Sequence, residues 1–190
     1  MRVFLAGASG VIGVRLVPLL VATGHHVAGM TRSPGKADLL RDLGAVPVVC
    51  DVFDLQHLSR VVTEFGPDVV LHELTDLPDD AGEIRTLGSA NSRMRREGTS
   101  NLLAAAGATR TVAQSVAWAL DGDGGEAVRE HEEAVLGAGG VVVRYGQFYG
   151  PGTYHPSSPP GGPRIHIDDA ARRTLPLLTA PTGIVVLIEE

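Results

Sequence analysis

Three glycines near the start of the chain are spaced for binding a phosphate group. They stand in Gly7-Ala8-Ser9-Gly10-Val11-Ile12-Gly13, which follows a short apolar run and precedes a stretch with helical spacing. The first glycine permits a tight turn, the second lets the backbone approach a pyrophosphate, and the third lets helix and strand pack closely. The free N–H groups at the helix start then face the phosphates. The alternative is a structural glycine turn without a ligand. The predicted dinucleotide contacts in this turn are Gly7, Ser9, Gly10, Val11, Ile12 and Gly13.

The end of the second apolar run bears on which dinucleotide binds. NAD sites of this kind place an Asp or Glu about twenty residues after the glycines, where it holds the ribose 2′-hydroxyl. This chain has Met30-Thr31-Arg32-Ser33 there and no acid. Arg32, helped by Ser33 and Lys36, would pair with a 2′-phosphate, so the sequence favours NADP(H) over NAD(H). The alternative is that Arg32 is a solvated loop charge.

Asp51 and Val52 follow the third apolar run and are the predicted contacts for the adenine edge. Asp51 would use its carboxylate and Val52 its amide. The alternative interpretation is that Asp51 is a turn residue and Asp54 a helix cap. Both interpretations can hold together.

Side chains capable of proton chemistry follow the later apolar runs. His72 and Glu73 come after the fourth run, Ser115 after the fifth, and Tyr145 and Tyr149 after the sixth. The carboxyl ends of parallel strands meet at one edge of a sheet, so these side chains are expected to cluster there. A His or Tyr at this edge would supply a proton to an alkoxide formed by hydride addition. No group has the spacing of a metal site.

The elements that must position these residues alternate strand and helix. Strands are predicted at 3–6, 26–30, 46–50, 68–72, 111–115, 141–144 and 184–188. Helices are predicted at 11–22, after Ser33-Pro34, from the Asp54 cap to 65, and at 89–106, 126–136 and 168–178, with irregular segments at 74–88, 121–125 and 150–163. Strands separated by helix-length segments require right-handed crossovers. The predicted fold class is therefore α/β, a doubly wound parallel sheet of Rossmann type in a single domain, residues 1–190.

Composition limits the partners and the location. The formal net charge of −6 argues against a nucleic-acid surface, which needs a basic face. Cys50 is the only cysteine, so an internal disulfide is excluded. No apolar stretch is long enough to cross a bilayer, and the N-terminus is not a signal peptide. A cytoplasmic protein with a small-molecule substrate and no membrane partner is expected.

Several ordered matches make the chain resemble the extended short-chain dehydrogenase/reductase superfamily, specifically its NAD-dependent epimerase/dehydratase group. Besides the glycine turn and Asp51, the matching segments are Asp68-Val69-Val70-Leu71-His72, Asn91 with Glu97-Gly98-Thr99-Ser100-Asn101-Leu102-Leu103, Arg144-Tyr145-Gly146-Gln147-Phe148-Tyr149-Gly150-Pro151-Gly152, and His166-Ile167-Asp168-Asp169-Ala170-Ala171. The resemblance implies hydride transfer between NAD(P) and a carbinol carbon. Relatives often form homodimers through the two long helices, here 89–106 and 126–136, so the resemblance suggests a homodimer without requiring one. The chain departs from the family in its substrate-binding lobe, which is much shortened, to about residues 150–190.

The resemblance breaks at the family's proton-handling pair. The family uses a Ser or Thr, and a Tyr followed four positions later by a Lys that lowers the pKa of the phenol. The only lysine here is Lys36, and the two positions align with Gly124 and Val128. The family's hydroxyl position aligns with Val116, one residue after Ser115.

Three residues remain as catalytic candidates: Tyr145, Ser115 and His72. The resemblance places Tyr145 close to the nicotinamide, which makes it the first choice for a replacement acid, with a packing role as the alternative. Ser115 faces the site only if its strand has ended there, and the family's equivalent of His72 packs under the cofactor.

The sequence leaves three functions open. The first is an atypical reductase that transfers hydride from NADP(H) to a small-molecule ketone or enone without a Tyr/Lys pair. The second is a non-catalytic NADP(H)-sensing or scaffold protein. The third is an isomerase or cyclase on the same fold without net redox chemistry.

Overall fold

Strands and helices follow one another along most of the chain, and the part that the structure describes contains nine strands and seven α-helices. The computed structural model describes residues 1–78 and 80–189, apart from the side chains of residues 84–87. The strands are β1 (Arg2–Ala6), β2 (His26–Thr31), β3 (Val46–Val49), β4 (Val69–His72), β5 (Arg110–Val116), β6 (Val141–Tyr145), β7 (Gln147–Tyr149), β8 (Arg164–His166) and β9 (Gly183–Leu187). The helices are α1 (Gly13–Ala22), α2 (Ala37–Asp42), α3 (Leu55–Phe65), α4 (Ile84–Arg93), α5 (Thr99–Ala106), α6 (Gly122–Gly137) and α7 (Ile167–Thr174).

Seven of these strands form one parallel sheet in the order β3-β2-β1-β4-β5-β6-β9. The strand order reverses between β1 and β4, and the crevice at such a switch point binds the ligand in doubly wound folds. The predicted doubly wound Rossmann-type sheet is confirmed.

Helices cover the sheet on both faces, because successive side chains of β1 pack alternately into two different core clusters. Val3 and Leu5 belong to the core cluster shared with α1 and α7, whereas Phe4 and Ala6 belong to the cluster shared with α3 and α5. Successive strand side chains point to opposite faces, so a strand buried on both sides is apolar throughout.

The helix boundaries follow local signals in the chain. The Asp54 carboxylate accepts a hydrogen bond from the His57 amide at 3.0 Å, which confirms the predicted cap of α3. Gly66 ends that helix in the left-handed region with φ +60°. Within the described ranges, no helix combines the length and apolarity needed to cross a bilayer.

Three predicted boundaries are wrong. The segment 74–88 is not irregular throughout, because α4 begins at Ile84; Asp79 lies outside the described residues. The segment 89–106 is not one regular helix, because a π-helical turn, Met94–Gly98, separates α4 from α5. The glycine-rich segment 121–125 is mostly helical, since α6 starts at Gly122.

Close packing explains the last of these errors. A Cβ on Gly125 would lie 2.0 Å from the Leu120 carbonyl oxygen, so glycine is needed inside the helix and does not mark a turn. Strands β7 and β8, which pair with each other around residues 150–163, have three residues each and were not predicted. Runs this short carry no readable periodicity.

Candidate functional site

The glycine turn has the geometry of a phosphate cradle. Gly7 has φ +91°, and a Cβ there would lie 2.6 Å from the Glu73 carbonyl oxygen. A Cβ on Gly13 would lie 2.3 Å from the Gly7 carbonyl oxygen, so both positions require glycine. Among the described residues, the amides of Val11 and Ile12 have no hydrogen-bond acceptor. Free amides at the start of α1 suit an anionic ligand.

Hydroxyl groups join this turn to the end of β2. The Ser9 and Thr31 hydroxyl oxygens lie 2.8 Å apart, and the Ser33 amide donates to the Thr31 hydroxyl at 3.2 Å. Thr31 is buried, so this connection fixes the relative positions of the two predicted cofactor-binding segments.

Arg32 at the end of β2 is paired with an acid that sequence reasoning missed. Its Nη2 donates to Asp76 Oδ1 at 2.7 Å, and this bond outweighs partial burial to raise the pKa of Arg32. The side chain of Arg32 is 62% exposed, so it remains within reach of a ligand. Asp76 lies 44 positions from Arg32 in the loop after β4, and no local pattern in the sequence connects them.

Asp51 and Val52 lie beyond β3, in a turn. The Phe53 amide donates to Asp51 Oδ1 at 3.0 Å, so Asp51 acts as a turn residue. Asp51 also contributes to raising the pKa of Arg32, after the hydrogen bond and charge of Asp76. Val52 is buried.

His72 belongs to a buried hydrogen-bonded chain on the α5–α6 face of the sheet. The Leu74 amide donates to His72 Nδ1 at 3.3 Å, so His72 carries its proton on Nε2 and donates to the Thr99 hydroxyl at 2.9 Å. Thr99 then donates to His131 Nδ1 at 2.8 Å, and His131 Nε2 donates to the Gln114 carbonyl at 2.9 Å. Every donor in this chain has an acceptor when both imidazoles are neutral.

The surroundings keep both imidazoles neutral. Burial lowers the pKa of His72 well below its ordinary value, and the neighbouring His131 and the positive charge of Arg95 act in the same direction. Burial and Arg95 lower the pKa of His131 to about 4. Both hydrogen-bonding nitrogens of the buried His72 are thus occupied within the protein.

Ser115 is buried and bonded to an ion pair. Its hydroxyl donates to Glu132 Oε1 at 2.5 Å, and Arg144 Nε donates to the same oxygen at 2.9 Å. Burial alone raises the pKa of Glu132, but the hydrogen bonds from Arg144 and Ser115 outweigh it and lower the pKa overall. Ser115 therefore positions a carboxylate from α6.

Replacing Arg144 with Met is expected to lower the free energy of unfolding by about 2 kcal/mol at pH 7, because it leaves the buried Glu132 carboxylate without its cation. Breaking a fully buried pair costs more, but the Arg144 side chain is 39% exposed and solvent weakens the pair. Urea unfolding at pH 7 measures the loss. Arg41→Met, on an exposed arginine of α2, is the matched control and should change little.

Tyr145 lies on the other face of the sheet, buried between β4 and α7. Its hydroxyl is 3.3 Å from Glu73 Oε1 and 2.6 Å from the Thr174 hydroxyl, and Thr174 can donate to the Ala170 carbonyl at 2.8 Å. Burial and the neighbouring Glu73 raise the pKa of Tyr145 well above its ordinary value. Tyr145 is thus a weaker acid than the family's lysine-assisted tyrosine.

The three catalytic candidates do not come together in one cluster. His72 bonds Thr99 of α5, and Ser115 bonds Glu132 of α6. Tyr145 bonds Glu73 and Thr174 on the opposite face. No group of three or more His, Cys, Asp or Glu side chains within the described part of the chain is arranged to hold a metal ion.

A cavity of about 400 Å³ opens beside the ion pair, at the carboxyl ends of β5, β6 and β9. Polar and apolar groups share its walls, with Trp118 and Val128 among the apolar side chains and Glu132 and Arg144 as the charged members. Val128, at the position expected to match the family's lysine, is one of the residues that line this cavity.

A doubly wound parallel sheet with this glycine turn at its switch point defines a dinucleotide-binding Rossmann protein. The family model described as NAD(P)H-binding matches residues 7–139. The chain belongs to the NAD(P)H-binding family.

Relatives and solved structures agree with this assignment. A 3-diazoavenalumate denitrifying reductase from a Streptomyces species is 38% identical over 183 residues, covering 80% of this chain. The chain spans 58% of that relative's length. A sterol-4-alpha-carboxylate 3-dehydrogenase from Dictyostelium discoideum is 30% identical over 90 residues, covering 47% of this chain and 27% of the relative.

Solved structures share the fold at low identity. UDP-glucose 4-epimerase from Thermus thermophilus, in complex with NAD, superposes with a TM-score of 0.80 at 19% identity, covering 99% of this chain and 78% of the epimerase. The Thermotoga maritima UDP-glucose 4-epimerase, with UDP-glucose, gives a TM-score of 0.81 at 16% identity, with 99% and 77% covered. The predicted similarity to the epimerase/dehydratase group is confirmed at the level of the fold.

Proposed function

We propose that the protein is an NAD(P)H-dependent reductase that passes hydride to a small organic acceptor without a Tyr/Lys pair. The observation that carries this proposal is the glycine turn, whose free Val11 and Ile12 amides lie at the switch point of a chain from the NAD(P)H-binding family. Gly7 and Gly13 leave no room for a Cβ, which fits a turn held in a ligand-binding shape. When bound, the dinucleotide supplies the hydride from its nicotinamide ring.

The proton side of the chemistry favours a particular kind of acceptor. A ketone or enone needs a proton after hydride addition, yet Tyr145, Ser115 and His72 are all buried and bonded within the protein. Reduction of such acceptors would take its proton from water.

An arenediazonium ion that accepts hydride at carbon becomes an arene and releases N₂, with no proton required. The diazo substrate and denitrifying activity named for the Streptomyces relative support testing this second class.

The cavity beside Arg144 is the proposed acceptor site. Its apolar wall with Trp118 suits a planar aromatic ring. Arg144 uses Nε and Nη2 for Glu132, which leaves Nη1 for an anionic substituent such as a carboxylate. An aromatic carboxylic acid that carries the reducible group could stack its ring on Trp118 and pair its carboxylate with Arg144.

Turnover with two acceptor panels tests the function. NADPH consumption is followed at its absorbance maximum with ketones and enones, and separately with carboxylated arenediazonium ions, where N₂ release is also measured. Reduction in either panel, weakened by a cavity-filling Val128→Phe substitution that leaves NADPH binding intact, would support the proposal. Tight NADPH binding without turnover in either panel would contradict it and favour a sensing or scaffold protein.

Arg32 carries the proposed preference for NADP(H). Arg32→Ala is expected to weaken NADPH binding about tenfold and leave NADH binding nearly unchanged, because the guanidinium pairs only with the 2′-phosphate. Asp76→Asn should strengthen NADPH binding, since Asp76 competes for the same guanidinium. Fluorescence titration with both nucleotides measures the ratio. Arg41→Ala is the matched control, and equal affinities of wild type and Arg32→Ala for NADPH would contradict the assignment.

A further inference from the structure

Glu73 is a buried carboxyl group at the carboxyl end of β4, directly beside the glycine turn. It is 4% exposed, and its carbonyl oxygen is the atom that a Cβ on Gly7 would strike. Oε1 contacts the Tyr145 hydroxyl, whereas Oε2 is buried without any hydrogen-bond partner among the described residues. Buried polar atoms are nearly always bonded, so an orphaned carboxyl oxygen requires an explanation.

The position of Glu73 relates it to the nicotinamide half of a bound dinucleotide. In a doubly wound sheet, one half of the dinucleotide lies over each side of the switch point. Arg32 and Asp51 lie at the β2 and β3 ends, so the nicotinamide half falls over β4, β5 and β6. Glu73 follows β4 and Tyr145 ends β6, which places this pair at the nicotinamide side of the site.

The hydrogen bonds around Glu73 can run in two directions. With Glu73 protonated, Glu73 donates to Tyr145, Tyr145 donates to Thr174, and the Thr174 hydroxyl donates to the Ala170 carbonyl at 2.8 Å. With Glu73 ionised, Thr174 donates to Tyr145 at 2.6 Å and Tyr145 donates to the carboxylate at 3.3 Å. In both arrangements each hydroxyl group donates one hydrogen bond. Either protonation state of Glu73 is thus accommodated when the donors and acceptors in this series of hydrogen bonds exchange roles.

Few other charges act on Glu73. On its own strand, His72 points to the opposite face and bonds Thr99. On β6, Tyr145 is the titratable group in contact. Burial raises the pKa of Glu73 to about 8, and the Tyr145 hydrogen bond only partly opposes this.

The charged groups on the two helices that cover this face are satisfied elsewhere. Arg15 of α1 pairs with Asp168 at 2.7 Å. On α7, Arg172 pairs with Asp169, and Arg173 donates to the Ile188 carbonyl at 2.8 Å. These three arginines therefore bond to groups other than Glu73.

We propose that Glu73 balances the charge of the nicotinamide ring, holding a proton beside the reduced, uncharged ring and releasing it when the oxidised, cationic ring is bound. With a dinucleotide bound, hydride donation to the acceptor would leave one more positive charge beside Glu73, and Glu73 would release its proton to solvent. The inference rests on the dinucleotide site proposed above. Its consequence is that the protein favours the oxidised cofactor most strongly above neutral pH, which assists hydride donation.

Calorimetry in two buffers of different ionisation enthalpy tests this without turnover. At pH 7, NADP⁺ binding to the wild type is expected to release about one proton per site, whereas NADPH binding releases close to none. Between pH 6.5 and 7.5 the NADP⁺ affinity should rise about tenfold. NADPH is the matched ligand because it carries the same phosphates.

Two variants complete the test. Glu73→Gln keeps the shape and should abolish both the proton release and the pH dependence of NADP⁺ affinity. Tyr145→Phe removes the donor to the ionised carboxylate and should move the pH window upward. Equal proton release with NADP⁺ and NADPH, or unchanged release in Glu73→Gln, would overturn the role of Glu73 while leaving the reductase proposal standing. Failure of either nucleotide to bind would overturn both.

Discussion

Acidification from pH 7 to pH 4.5 is expected to lower the free energy of unfolding by about 2.5 kcal/mol through His131 alone, with His72 adding in the same direction. Burial and Arg95 lower the pKa of His131 from 6.5 to about 4 in the folded protein. Below pH 6.5 the unfolded chain therefore binds a proton that the folded chain does not. Stability is lost as the pH falls from about 6.5 towards 4.

Urea unfolding at pH 7, 5.5 and 4.5 measures this effect, with His131→Gln as the decisive variant. Glutamine can accept from Thr99 and donate to the Gln114 carbonyl, but it does not titrate. The variant should lose less stability on acidification than the wild type, by about 2.5 kcal/mol at pH 4.5. His57→Gln, on α3, is the control. Parallel pH profiles for wild type and His131→Gln would contradict the assignment.

Glu73 gives the opposite pH dependence, so it must be separated from the histidines. Its pKa is raised from 4.5 to about 8 in the fold. Below pH 4.5 Glu73 is protonated in both the folded and the unfolded chain, and its contribution to the free energy of unfolding is fully present. That contribution is lost as the pH rises from 4.5 towards 8, because the unfolded chain releases the proton first. The comparison of wild type with His131→Gln cancels this contribution, because both proteins keep Glu73.

Gly10→Val is expected to weaken NADPH binding by about 100-fold, or about 2.7 kcal/mol, while the protein stays folded. A Cβ at Gly10 would lie 3.2 Å from the Gly7 carbonyl oxygen, a contact that a small shift relieves. The isopropyl group would then occupy the space through which the pyrophosphate approaches the free amides. Gly13 is unsuitable for this test, because a Cβ there would lie 2.3 Å from the same oxygen and would disrupt the fold.

Fluorescence titration of NADPH, with thermal unfolding recorded in parallel, measures this loss. Gly137→Val is the matched control, since a Cβ at that position of α6 meets nothing within 4 Å. The control should bind NADPH as the wild type does. Wild-type affinity in Gly10→Val would show that the pyrophosphate does not approach this turn.

Much of the architecture could be predicted because it depends on local signals. The runs at 3–6 and 69–72 lie in buried strands, and the turns at Gly24, Gly44 and Gly66 adopt the positive φ expected of helix-ending glycines. The glycine turn was predicted for the same reason, since strand, turn and helix are consecutive. The errors occurred at α4 and α6, where polar residues and glycines stand inside helices instead of loops. At α6 the reason is that Gly125 packs against the Leu120 carbonyl, which leaves no room for a Cβ.

The sequence by itself determined the doubly wound sheet, the position of the glycine turn and the absence of a second lysine for a Tyr/Lys pair. Only the tertiary structure decided that Arg32 meets Asp76, that His72 bonds Thr99, and that Tyr145 meets Glu73. These partners are 44, 27 and 72 positions apart. Secondary structure follows from spacing along one segment, but the protonation and pairing of a side chain depend on which groups the packed sheet brings within hydrogen-bond distance, and on the water it excludes.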